Sequence, residues 1–232
     1  MQKQYWNYKI IIRKKEFKLN ILTPNINLDI LKNERLKTTL FISQTEETII
    51  ENFIFEEQNC NNNEFYNLEI KHTKLNSCEL IDNKFEKCFF TDVIFENCDL
   101  SNSYFTDCNF TRCSFINCKL VGSNIIETIL CDISFKNSNC SYINFSEVIF
   151  RTVLLEENNL SNSIINSCKI ETIKINNCIF INSQIHHTNL KGVDFSTCDI
   201  TGIGISPQEL KGAIVNSLQA LDLSKLLGII IV

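Results

Sequence analysis

Proline and glycine are almost missing from this chain, with two and six residues among 232. That excludes a collagen-like array or a long flexible linker as the main content. Long apolar runs are missing as well. The final LLGIIIV, residues 226–232, is too short to cross a bilayer, and the first fifteen residues lack the apolar core of a signal peptide. The expectation is a cytoplasmic protein with no membrane partner. Histidine is scarce: His72, His186 and His187 stand without a matched nucleophile, and neither a glycine-rich phosphate loop nor a metal triad occurs. No enzyme activity, catalytic residue, cofactor or metal is expected. An excess of basic charge is also lacking. The chain carries 22 Lys and Arg against 27 Asp and Glu, a formal net charge of -5, which argues against direct binding of nucleic acid.

What is present is a beat of five. From Ile50 to Ile205 every fifth residue is large and apolar, or cysteine, as in Phe85, Phe90, Phe95, Leu100, Phe105, Phe110 and Phe115. Two residues before each comes a mostly small position, such as Cys88, Cys98, Ser103, Cys108, Cys113, Cys118 and Ser123. Five is neither the helical nor the strand period. Residues n and n+5 both face inward only if the chain turns a corner every five residues. Four corners close a square, so one coil takes about twenty residues, and coils stack at roughly 4.8 Å. The large residue fills the shaft, and a bulky neighbour at the small position would overpack it.

The 12 cysteines follow this pattern. Nine take the small position, Cys60 and Cys140 take the large one, and only Cys131 lies outside. Stacked parallel side chains do not converge on a metal or face each other for a disulfide, so free buried thiols are expected, as suits a reducing compartment.

The runs CDLSN at 98–102, CNFTR at 108–112 and CDITG at 198–202 resemble the pentapeptide-repeat family. The resemblance covers about two thirds of the chain. It implies an all-β fold, a right-handed quadrilateral β-helix of about eight coils and about 40 Å, followed by a short C-terminal helix and strand.

Three parts are expected: a non-repeat cap at 1–47, the β-helix at 48–215, and a terminal segment at 216–232. Within the cap, residues 8–22 have strand-like composition up to Pro24. A short helix is expected at 27–37, with Asn27 as N-cap and Ile30, Leu31 and Leu36 on its buried side. The cap would hide the open first coil from edge pairing. Ser206-Pro207-Gln208-Glu209 fits a capping box and a brief helical turn. Residues 217–228 read as a helix with Ser217 as cap and Gly228 at its end, and 229–232 read as a strand.

The tail narrows the resemblance. Gly212, Gln219, Ala220, Leu226, Leu227 and Gly228 are placed as in the quinolone-resistance (Qnr, MfpA-like) members. In those the terminal helix and strand make a two-fold dimer, which implies a homodimer here through Leu218, Leu221, Leu226, Leu227, Ile229 and Ile231. The absence of inserted loops and the long non-repeat N-terminus depart from those members.

Charge is uneven. Residues 1–47 carry nine Lys/Arg and five Asp/Glu, residues 48–205 carry eleven against twenty, and the rest balances at two each. The acids of the array line up one coil apart or mark shared faces: Asp107, Glu127 and Glu147; Asp92 and Asp132; Glu96, Glu156 and Glu157. Phe89, Ile129 and Ile149 are expected to share an exposed face. An acidic rod imitates a run of phosphates and would attract the basic DNA groove of a topoisomerase. The resemblance implies this role: a DNA mimic that binds DNA gyrase or topoisomerase IV, with fluoroquinolone resistance as a consequence. The alternative is a non-catalytic interaction scaffold for an unrelated protein partner.

Overall fold

The structure, a computed structural model, describes residues 19–27 and 32–230. Short parallel strands repeat with a register of twenty residues. Phe85 pairs with Phe105, Phe105 with Ile125, and Ile125 with Phe145. The chain is a four-sided parallel β-solenoid of about eight coils.

The four sides can be named by their central residues. The Phe90 and Phe95 sides merge into one parallel sheet, because strands such as Phe89–Glu96 and Asn109–Ile116 run through the corner between them. The Phe105 side carries a second sheet, from Glu64–Tyr66 to Gln184–His186. The Leu100 side is held by single bridges, such as Asp99 to Lys119.

The large position fills the shaft as the beat of five requires. Phe90 and Phe110 stack with ring centroids 4.4 Å apart, Phe95 and Phe115 at 4.8 Å, and Phe115 and Phe135 at 4.7 Å. These spacings are those of neighbouring strands. Across the corners the rings meet edge to face, as Phe105 and Phe110 do at 5.5 Å, the other arrangement that aromatic quadrupoles favour.

The small position does more than avoid overpacking. Cys118 Sγ lies 3.3 Å from the carbonyl of Phe95, and Ser103 Oγ donates to the carbonyl of Leu80 at 2.6 Å. Thr128, Ser183 and Asn158 donate to carbonyls at the same offset of 23 residues. Each supplies a donor to a carbonyl inside the shaft, where an orphaned polar group would be costly. All twelve cysteines are free thiols. Burial pushes the thiols of Cys60, Cys168 and Cys178 up to about 11.

The corners have their own rule. Among the described residues, every non-glycine residue with positive φ occupies the position two after the large one, from Glu47 to His187. Asn and Asp are frequent there because they tolerate the left-handed region. Thr152, Thr172 and Thr197 hold the same position without a positive φ, since β-branching disfavours it. At Thr152 the strand through the Phe90–Phe95 corner breaks into Ile149–Phe150 and Val153–Glu156.

Both ends are covered. Of the helix expected at 27–37, residues 28–31, with Ile30 and Leu31, lie outside the described residues, and the described remainder differs. Lys32–Asn33 pair with Phe53 and Ile54 as a strand, and helix α1 spans Leu36–Glu46. The reason is packing: Leu36 and Leu40, four apart on one helix face, are buried in the core beside Ile50 and Phe55. Gln58 fixes the start, accepting the Leu36 N–H at 2.6 Å and donating to Glu34 at 2.7 Å. Leu36 is buried as expected. Of the strand expected at 8–22, residues 8–18 lie outside the described residues, and 19–22 form no strand.

At the far end, residues 207–212 turn as the capping box implies, with Glu209 accepting the Ser206 N–H at 2.9 Å. Helix α2 spans Ser217–Ser224, and a single 3-10 turn, Lys225–Leu227, leads to Gly228 at φ 71. Asn216, rather than Ser217, is the N-cap. It forms a reciprocal box with Gln219, whose side chain also donates to the carbonyls of Phe195 and Cys198 at 2.9 and 2.7 Å. That pins α2 onto the last coil. Ile229 and Ile230 form no strand, since none pairs with them among the described residues; residues 231–232 lie outside these.

Candidate functional surface

A shaft packed with side chains leaves the outer skin for recognition. The two enclosed spaces along the shaft are apolar and about 20 and 10 Å³, about one water's worth of room at most. No cluster of three or more metal-binding side chains occurs among the described residues.

The eight sequence-selected acids separate into three kinds. Asp107, Glu127 and Glu147 lie on successive coils at the corner between the Phe105 and Phe110 strands, all exposed and all with positive φ. The Asp107 N–H donates to Ile126 and the Glu127 N–H to Ser146, which fixes their stacking. None has an ion-pair partner among the described residues, and neither has Glu157. Glu96 and Glu156 are different. Lys74 lies 2.6 Å from Glu96, and Lys136 lies 3.3 Å from Glu156, so much of their charge is spent locally.

Asp92 must be removed from any exposed acidic face. It is 1% exposed. Arg112 reaches it from the next coil with a two-pronged contact, Nε to Oδ1 at 2.8 Å and Nη2 to Oδ2 at 2.6 Å. The Asn25 N–H donates to Oδ1 at 2.9 Å. Burial alone would push this carboxyl up, but the Arg112 fork, the Asn25 N–H and the nearby His72 together hold it below the ordinary aspartate range. Asp132, half-buried, accepts the Leu22 N–H at 3.3 Å. The Asp92–Asp132 corner is thus covered by the chain's own residues 19–27. Arg112 was legible only as a basic interruption of an acidic face, yet the spacing of twenty from Asp92 was the signal for the pair. The covering segment left no signal.

Phe89 is 47% exposed, while Ile129 and Ile149 are half-buried on the same column; Asn109 separates Phe89 from the other two.

At the C-terminal end an apolar surface is open. Leu218 is 75% exposed, Leu227 64%, and Leu221, Leu226 and Ile229 lie between 41 and 51%. Beside them is a hollow of about 290 Å³, walled by Pro207, Leu210, Ala213, Val215, Leu223 and Leu226 among others. Ile231 lies outside the described residues.

The profile of the family described as "Pentapeptide repeat region" matches residues 88–165 and 108–184. No curated protein sequence matches the chain significantly. Among solved structures, a trypsin-treated variant of QnrB1, described as a plasmid-mediated fluoroquinolone resistance protein, is 19% identical, with a TM-score of 0.44 over 79% of this chain and 99% of that one. HetL from the cyanobacterium Nostoc sp. strain PCC 7120, a pentapeptide repeat protein involved in heterocyst differentiation regulation, is 13% identical, with a TM-score of 0.30 over 76% of this chain and 96% of that one. Rfr23 from the cyanobacterium Cyanothece 51142, also a pentapeptide repeat protein, is 14% identical, with a TM-score of 0.27 over 77% and 99%. The fold assignment stands on the coil geometry and the repeat profile, not on these superpositions.

Proposed function

The chain is a pentapeptide-repeat protein, and from that premise we propose that it binds a type II topoisomerase, DNA gyrase or topoisomerase IV, as a mimic of DNA. The observation that carries the reading is the column Asp107, Glu127 and Glu147. Their coils stack at about 4.8 Å, against about 3.4 Å of axis per phosphate on one DNA strand. Two like charges held at that spacing would repel by about 0.9 kcal/mol in bulk water. The fold does not need this charge, because Asn97, Asn117 and Asn137 fill equivalent corners. The three acids follow one another above Lys87, each without an ion-pair partner among the described residues, and leave a negative edge at the surface. A basic groove shaped for duplex would relieve that repulsion.

The reading includes a two-fold dimer through Leu218, Leu221, Leu226, Leu227, Ile229 and Ile231. Its support is the open apolar surface around the hollow and the placement of Gly212, Gln219, Ala220 and Gly228 in the tail. A second copy laid across this end would cover those leucines and give Ile229 and the residues after it a strand to pair with.

The test is a supercoiling assay with purified DNA gyrase, with and without ciprofloxacin. The protein is expected to inhibit supercoiling, or to protect it from the drug, at micromolar concentration. No effect on either would overturn the reading in favour of a scaffold for an unrelated protein.

A further inference from the structure

One corner of the rod is built differently from the rest. Between the Phe90 and Phe95 sides, successive corner residues are His72, Asp92, Arg112 and Asp132, and the column then loses charge at Thr152, Thr172 and Gly192. Residues 19–27 lie along the charged part. Leu22 and Asn25 donate their N–H groups to Asp132 and Asp92, and His72 Nδ1 lies 2.8 Å from the Asn25 carbonyl oxygen. The spacing matches. Asp92 and Asp132 are two coils apart, about 9.6 Å, and three extended residues cover about 10 Å. The contacts given by Leu22 and Asn25 are main-chain contacts, so the corner reads an extended backbone rather than a side-chain sequence.

The corner is also pre-organised. Arg112 clamps Asp92 through two hydrogen bonds, leaving a lone pair on Oδ1 aimed at the Asn25 N–H. A carboxylate that is 1% exposed needs those donors, and the covering chain supplies one of them. Charge and cover run over the same coils.

We propose that the His72–Asp92–Arg112–Asp132 corner is a docking site for an extended peptide, and that residues 19–27 occupy it in cis as a strap. While seated, the strap withholds Asp92 and Asp132 from other partners. This inference is independent of the topoisomerase reading.

The test uses the full chain and a fluorescein-labelled peptide of sequence LNILTPNIN, residues 19–27. Leu22→Pro with Asn25→Pro removes both N–H donors from the strap and leaves the corner intact. The peptide is expected to bind this variant in fluorescence anisotropy and not the parent, whose corner is filled. The same peptide with proline at the Asn25 position should bind about tenfold more weakly. Equal binding to parent and variant, or binding to neither, would overturn the proposal. Hydrogen exchange on the unmodified chain decides independently of whether the variant folds. The amides of Leu22 and Asn25 should exchange about tenfold or more slowly than that of Thr23; equal rates would contradict a seated strap.

Discussion

At the scale of single residues, the beat of five revealed which side chains enter the shaft, because inward facing is a matter of periodicity. It did not reveal why so many small positions carry Cys, Ser, Thr or Asn, since donation to a carbonyl 23 residues earlier depends on how coils stack. The column Asp107, Glu127 and Glu147 was legible from spacing alone. Burial of Asp92 was not, because its cover comes from residues 67 positions away. Glu127→Asn should raise stability by about 0.5–1 kcal/mol in urea unfolding, since it removes two repulsive neighbours and places a residue that favours positive φ. Unchanged or lowered stability would mean that the column is not strained. For Asp92 the sign follows from its depressed titration. The folded carboxyl holds its proton less tightly than the unfolded one, so its contribution is full above about pH 4 and is lost as pH falls through the folded value. Asp92→Asn should therefore cost about 1–2 kcal/mol at pH 7, and the gap to the parent should narrow at pH 2–3. A gap independent of pH would contradict the paired carboxylate.

At the scale of elements, the repeat was legible and the ends were less so. The five-beat is repeated many times, and each repeat confirms the phase of the others. A terminal helix has no such redundancy. Helix α1 begins at Leu36 rather than near Asn27 because Leu36 and Leu40 plug the first coil and Gln58 of that coil caps it, a contact no local pattern encodes. Helix α2 was placed correctly, but its cap moved one residue because Asn216 and Gln219 satisfy each other. Gln219 is the residue that joins this helix to the shaft. Gln219→Leu leaves the carbonyls of Phe195 and Cys198 without that donor and should lower stability by about 2 kcal/mol, read as a lower unfolding midpoint. A midpoint unchanged from the parent would show that the helix is held by its leucines alone.

At the scale of the whole molecule, the described chain is a rod with an exposed acidic corner, a corner covered by residues 19–27 and an open apolar end. Leu226→Asp and Leu227→Asp should each yield a monomer in light scattering at concentrations where the parent is a dimer; a dimer in both variants would place the contact elsewhere. Imitation of DNA would show as competition with duplex for the enzyme. Labelled linear duplex bound to DNA gyrase is titrated with the parent and with a variant carrying Asp107→Asn, Glu127→Gln and Glu147→Gln. The parent should displace the duplex, less effectively as salt rises, and the variant should need about tenfold more protein with a weaker salt dependence. Equal displacement by parent and variant, or none by either, would contradict the claim.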